Sequence, residues 1–230
     1  GISVNISEGF MNKDKQIKKY NHISIIGNGE DWNPAKIKEY CKSSDFIIAA
    51  DNGLSILDKL SIIPDLIIGD LDSVPENILA KYKNIPLEKY AKEKDLTDSE
   101  ISLQKAISLK PKKISLLAMT GSYFDHSLAN IINLFRNYEP NIEIEVITHN
   151  AIIFPITSKK EFSGLEGRRF SLFPIGKVSG ISITGAKYHL KNFDFKITDY
   201  SISNVIIKNR FSIEIKDGFL LFVLYDKGYS

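Results

Sequence analysis

From residue 22 onward, short apolar runs alternate with stretches in which apolar residues recur every three to four positions. "HISIIG" is followed by "NPAKIKEYCKSS", "DFIIAADNG", "LSILDKL" and "DLIIGD", an order that predicts strand, helix, strand, helix, strand. Asn33 before Pro34 marks a helix start, with Ile37, Tyr40 and Cys41 as its inward stripe. The alternation continues through "VPENILAKYK", a weak strand near "IPLEKY", a helix from about Asp98 to Leu109, "KISLLAM", a helix from about Asp125 to Arg136, and "IEIEVIT". Leu128, Ile131, Ile132 and Phe135 form the expected buried stripe of the last helix. Strands that are apolar at nearly every position need cover on both faces, so residues 21–150 are expected to form an α/β unit, a mainly parallel sheet with flanking helices.

Beyond residue 150 the period changes. "AIIFP", "RRFSLFP", "GISITG", "SNVII", "FSIEIK" and "FLLFVLYD" follow one another without helical spacing, so residues 151–230 are expected to be antiparallel β, a small sandwich or barrel-like unit. Asp217 and Gly218 between two apolar runs predict a hairpin. Residues 1–20 are polar, lack periodicity and contain Met11; they read as an extension, in part disordered or left over from cloning, outside the fold.

The 230 residues, 43% apolar and 25% charged, suffice for one large core or two modest ones. A net charge of +2 from near balance points to a small ligand, not to nucleic acid or a membrane surface. Cys41 is the only cysteine, which removes an intrachain disulfide framework and a multi-cysteine zinc site. With no apolar run near the ~20 residues of a membrane helix and no signal-peptide core, the expected compartment is the cytoplasm.

In a parallel sheet, ligands gather beyond the carboxyl ends of the strands, and there this sequence is acidic. Asp51, Asn52 and Gly53 follow "IIAA"; Asp70, Leu71, Asp72 and Ser73 follow "LIIG"; Thr120, Gly121, Asp125 and His126 follow "LLAM"; Asp95 and Asp98 flank Thr97 in "KDLTDSE". If the chain stays extended past Gly69, Asp70 and Asp72 share a side and repel unless a cation joins them, and magnesium held by carboxylates and phosphate oxygens is the usual resolution. The competing reading is an ordinary turn, with Ser73 and Glu76 as a capping box. Asp95 and Asp98 equally suit a helix start capped by Thr97 and Glu100, and Asp125 suits a cap of its own helix. His126 and Asn130, four apart, share a helix face. Neither Gly-x-x-x-x-Gly-Lys-Ser/Thr nor Gly-x-Gly-x-x-Gly is present, and "IGNGED" carries only two of the glycines.

Taken in order, "ADNG" (50–53), "PDLIIGDLDS" (64–73), "KDLTDSE" (94–100), "TGSYFDHSLAN" (120–130), "GAKYHL" (185–190) and "SISN" (201–204) resemble the motifs of the thiamine pyrophosphokinase family. The resemblance implies a nucleotide-binding α/β domain over 21–150 and a thiamine-binding β-sandwich over 151–230. It implies transfer of pyrophosphate from ATP to thiamine, giving AMP, in a homodimer whose ligands lie between subunits. It assigns Asp70, Asp72, Asp95 and Asp98 to catalysis, with Asp70, Asp72 and Asp98 on Mg2+. Asp51, Asn52, Gly53, Thr97, Gly121, Asp125, His126 and Asn130 go to the nucleotide and its phosphates, and Ser201, Ser203 and Asn204 to thiamine. Asp98 or Asp70 would be the general base.

Two departures from the family pattern stand out. Gly121, Ser122 and Tyr123 occupy the place of Gly-Gly-Arg, so a cationic phosphate contact is missing there, with Lys92 or Lys94 as candidate substitutes. Asn52 replaces a usual glycine, a mild change because asparagine tolerates left-handed backbone. The rival readings are a thiamine or nucleotide sensor without turnover, a metal-dependent phosphohydrolase and a nucleotidyl-sugar transferase.

Overall fold

The computed structural model describes residues 19–90, 96–121 and 123–226. The first half runs β1 (His22–Ile26), α1 (Pro34–Ser43), β2 (Phe46–Ala50), α2 (Gly53–Lys59), β3 (Leu66–Gly69), α3 (Glu76–Lys81), β4 (Leu87–Lys89), α4 (Asp98–Ser108), β5 (Lys113–Leu117), α5 (Phe124–Arg136) and β6 (Glu143–Ile147). These six strands are parallel neighbours in the order β4-β3-β2-β1-β5-β6. Alternate strand residues face opposite layers. Ile23, Ile25, Ile48, Ile68, Ile114 and Leu116 pack with Ile101, Leu103 and Leu134 of α4 and α5. Ile26, Ala49, Ile67 and Leu117 pack with Ile37, Cys41, Leu54 and Leu57 of α1 and α2. This two-sided burial is why the central strands β1, β2, β3 and β5 are largely apolar. At the start of α1, Asn33 Oδ1 accepts from Ala35 N (2.9 Å) and Lys36 N (3.3 Å), ahead of Pro34.

The second half comprises β7 (Ala151–Ile156), β8 (Lys160–Ser163), β9 (Arg169–Thr184), β10 (Leu190–Phe195), β11 (Ser201–Val205), β12 (Arg210–Glu214) and β13 (Asp217–Tyr225). Strand β7 runs antiparallel to β6 and carries the sheet on through β13, β9, β12 and β8. The 16-residue β9 is the hinge of this half. Its first part pairs with β11 and β13 and its second with β10 and β12, the change coming around Gly176. Phe170, Phe211 and Phe222 fill the core between, and the rings of Phe170 and Phe222 stack 5.3 Å apart. The expected fold class, an α/β half with a parallel sheet followed by an antiparallel sandwich-like half, is the one observed.

Three local expectations differ from what forms. Asp217 and Gly218 make no hairpin, because β12 pairs with β8 and β9 whereas β13 pairs with β7 and β9. They begin β13, where the register shifts between Asp217 and Phe219. Gly218 has φ +101° there, and a Cβ would come within 2.5 Å of Lys177 O, so only glycine fits this bulge. The apolar stripe of α5 splits in two: Ile131, Leu134 and Phe135 turn inward, while Phe124, Leu128 and Ile132 stay exposed. Third, the chain does not stay extended past Gly69, since Leu71 turns with φ +64° and buries its side chain.

Candidate active site

Strand order runs outward from β1 in both directions, so the loops after β1 and β5 diverge and leave a crevice at the carboxyl edge of the sheet. A cleft of about 560 Å3 lies there. Its walls are Asn28, Gly29 and Glu30 after β1, Asp51 after β2, Asp70 after β3, and Thr97 and Asp98 opening α4. Thr120, Gly121 and Tyr123 after β5, with His126, Ser127 and Asn130 of α5, complete it.

Carboxylate oxygens of Asp51, Asp70 and Asp98 all lie within 4.8 Å of one another. Asp51 sits at φ +49°, and its backbone N–H donates to Ile68 O at 2.7 Å, which locks the end of β2 onto β3. The start of α2 is drawn against β1: a Cβ on Gly53 would fall 2.0 Å from Ile26 O, so glycine is required for this close approach. Oδ2 of Asp51 accepts from Ser73 Oγ at 2.9 Å, while its buried Oδ1 has no hydrogen-bond partner. Burial pushes the Asp51 carboxyl up from its ordinary range, and the charges of Asp98 and Asp70 push the same way against the Ser73 hydroxyl and the Asn52 N–H. Three clustered carboxylates, one of which keeps a buried oxygen without a partner, suit a hard divalent cation.

Asp72 lies apart from this trio. It is exposed, its N–H donates to Asp70 Oδ1 at 3.0 Å, and it borders a neighbouring cavity together with Asp70. Ser73 does not cap α3, which starts behind Pro75 without a side-chain cap. Thr97 does cap α4, accepting from Glu100 N at 3.1 Å, while Glu100 itself turns to Arg136 Nε at 3.3 Å. Asp95, Lys92 and Lys94 lie outside the described residues.

Asn52 has φ −70°, so the left-handed residue of the "ADNG" turn is Asp51, and the reason given for tolerating asparagine does not apply. Its side chain instead donates to Asn28 Oδ1 at 3.1 Å, tying two loops of the cleft. On α5, Asn130 Nδ2 donates to Met119 O at 2.7 Å and Ser127 Oγ accepts from Gly121 N at 3.1 Å, which pins the β5–α5 loop. Asp125 is exposed, does not cap α5, and accepts from His126 N. The β1 loop adds a contact the sequence did not single out: Asp31 Oδ2 accepts from Thr120 Oγ1 at 3.0 Å, and its other oxygen meets the backbone and ring of His149. Burial alone would raise the Asp31 carboxyl, but the His149 and Thr120 hydrogen bonds bring it below its ordinary value.

The thiamine-side candidates lie in β11, outside the walls of this cleft. Asn204 is buried, and its side chain is spent inside the chain: Oδ1 accepts from Tyr188 N (3.0 Å) and Val205 N (2.9 Å), and Nδ2 donates to Tyr188 O (2.6 Å). Ser203, at φ +59°, donates its N–H to Ser171 Oγ at 3.2 Å, and Ser201 pairs with Leu172 of β9.

Two family models match this chain: the thiamin pyrophosphokinase catalytic domain over residues 37–146 and the thiamin pyrophosphokinase vitamin B1 binding domain over residues 154–220. A thiamine pyrophosphokinase from Bacillus subtilis is 28% identical over 208 residues, 87% of this chain and 97% of that protein. Thiamine pyrophosphokinase 1 from Arabidopsis thaliana is 27% identical over 166 residues, 66% of this chain and 61% of that protein. Among solved structures, the Bacillus subtilis thiamine pyrophosphokinase superposes with a TM-score of 0.80 at 24% identity, covering 89% of this chain and 99% of that one. The yeast thiamin pyrophosphokinase superposes at 0.74 with 19% identity, covering 96% and 94%.

Proposed function

This chain belongs to the thiamin pyrophosphokinase family, and on that premise we propose that it transfers pyrophosphate from ATP to the primary hydroxyl of thiamine, giving thiamine diphosphate and AMP. The observation that carries this reading is the meeting of Asp51, Asp70 and Asp98 at a cleft of nucleotide size on the switch point of the sheet. We assign Asp51, Asp70 and Asp98 as holders of magnesium, with Asp72 at the rim. Bound there, magnesium supplies charge stabilisation and alignment for the transferring phosphates.

The hydroxyl oxygen of thiamine attacks the β-phosphorus of ATP, the bond to the α–β bridging oxygen breaks, and AMP leaves with that oxygen. A carboxylate oxygen of Asp70 or Asp98 takes the hydroxyl proton. Asn52, Gly53, Thr97, Gly121, Asp125, His126 and Asn130 shape the nucleotide side, Asn130 by holding the Met119 carbonyl. Residues 21–150 thus serve the nucleotide and residues 151–230 thiamine, with Ser201 and Ser203 as contacts and Asn204 holding the Tyr188 main chain.

Because β11 does not wall the cleft of its own chain, a second copy completes the site. Phe124 (80% exposed), Leu128 and Ile132 beside the cleft, with Tyr188, Tyr200 and Ile202 around β11, are the apolar surfaces such a homodimer would cover. Phe124→Glu should convert a dimer to monomer in sedimentation equilibrium, and an unchanged mass would remove this interface. No helix among the described residues is long and apolar enough to cross a membrane. The compartment proposed for this ATP-dependent reaction is the cytoplasm.

Chromatography of the products from ATP, thiamine and Mg2+ tests the whole reading. AMP with thiamine diphosphate supports it; ADP with thiamine monophosphate refutes its chemistry. Nucleotide breakdown without thiamine would identify a phosphohydrolase, and tight thiamine binding without AMP a sensor.

A further inference from the structure

The described walls of the cleft include four carboxylates, Glu30, Asp51, Asp70 and Asp98, and neither lysine nor arginine. A polyphosphate adds several negative charges to that wall, so described lysines that border it are candidates to offset them. Asp70 also borders a second cavity, of about 280 Å3, between α3 and β4, and this one carries Lys83 and Lys89. In the parallel ladder Lys89 is the partner of Gly69, and Tyr90 N donates to Gly69 O at 3.3 Å. Lys89 therefore ends its strand one ladder spacing, about 4.8 Å, from the end of β3 at Gly69, the residue before Asp70, at the same carboxyl edge of the sheet. Lys83 comes from the turn between α3 and β4.

Lys81 of α3 and Lys105 of α4 are already committed. Lys81 pairs with Asp58 at 3.1 Å, and Lys105 pairs with Glu88. Lys83 and Lys89 are exposed and form no ion pair with another described residue. The same cavity is lined by apolar Ile67, Leu71 and Leu79, which weaken dielectric screening of a charge held there, and by Asp72 beside Asp70. We infer that Lys83 and Lys89 form an anion subsite that receives the phosphate oxygens of the nucleotide across Asp70, supplying positive charge that the described walls of the cleft, Tyr123 among them, do not carry. The inference rests on the pyrophosphate-transfer reading for the identity of its ligand, a nucleoside polyphosphate.

The test is calorimetric titration of the full chain with ATP and Mg2+, without thiamine, for the wild type, Lys83→Met/Lys89→Met and Lys89→Arg. The expected result is a Kd for ATP raised about tenfold or more in the double variant, the size of one or two charge-assisted contacts, with Lys89→Arg within about twofold of wild type. The double variant should also show a weaker dependence of ATP affinity on NaCl. An unchanged Kd in a double variant of unchanged Tm overturns the inference. Since no turnover is involved, that outcome is separable from failure of the functional reading, which shows as wild-type protein making no thiamine diphosphate.

Discussion

Asp51→Asn separates the two roles of the aspartate cluster, because it removes a charge while leaving an acceptor for the Ser73 hydroxyl. With carboxylate oxygens within 4.8 Å, each of the two pairs Asp51 forms with Asp70 and Asp98 carries about 3 kcal/mol of repulsion at an effective dielectric of about 20. Solvent and salt screen these half-buried groups, which leaves about 1–2 kcal/mol. Without metal, the variant should therefore be more stable than wild type, by roughly 2–8 °C in Tm for a chain of this size. Adding magnesium reverses the order: at a hundred times its Kd it stabilises wild type by about 2.7 kcal/mol, whereas the variant, short of one ligand, should shift by about 1 °C or less. The pH dependence has a definite sign. The Asp51 pKa is raised in the folded state, so its contribution to stability is full below the unfolded value of 3.8 and is lost as pH rises through the folded value. The metal-free Tm advantage of the variant should thus vanish near pH 4 and grow toward neutrality. Differential scanning fluorimetry across pH 4–8, with and without Mg2+, reads all three effects. An equal magnesium shift in both proteins, or a metal-free variant less stable than wild type at pH 7, would refute the assignment of Asp51 as a ligand in a repulsive cluster.

Asp72→Asn should sharply reduce turnover with Tm held within about 2 °C, as expected for an exposed rim carboxylate; an unchanged rate removes Asp72 from the mechanism. Asn204→Ala leaves the Tyr188 amide and carbonyl and the Val205 amide without partners, a loss of about 3 kcal/mol or roughly 6–12 °C in Tm, and should raise the KM for thiamine; a Tm within 2 °C of wild type would show the clamp to be dispensable. His22 contacts Ser115 at 2.8 Å, and burial, then the Lys113 charge, lower its pKa. A depressed folded pKa contributes stability that is present above 6.5 and lost as pH falls through the folded value, so wild type should lose more Tm between pH 7 and 5 than His22→Gln; parallel curves would exclude His22 as the source.

The α/β half was readable because its central strands are largely apolar on both faces and two helix starts carry their own capping chemistry, at Asn33–Pro34 and at Thr97. The β half was readable only in kind. Strand β8 has a single apolar residue, Phe162, and β10 pairs with β9 through two register shifts that break any period of two. Asp217–Gly218 has the composition of a hairpin turn, yet it serves a bulge, because β12 and β13 lie on different parts of the bent β9. The α5 stripe is wider than the sheet can cover, and no pattern within one helix tells which part faces core and which faces a partner.

The same limit explains the aspartate trio. Spacing along the chain paired Asp70 with Asp72, but Leu71 buries its side chain in the α1–α2 layer, and that burial turns the backbone and swings Asp72 outward. The third carboxylate comes instead from Asp51 on the neighbouring strand, held over β3 by its N–H to Ile68 O and by Ser73. Adjacency of β2 and β3, together with the helix start at Thr97, therefore brings these three carboxylates together, and the first is a property of strand order. A variant that frees Leu71 from the core, such as Leu71→Gly, would let the segment extend and should weaken magnesium binding without touching any carboxylate, while an unchanged magnesium shift would mean the cluster assembles independently of this turn.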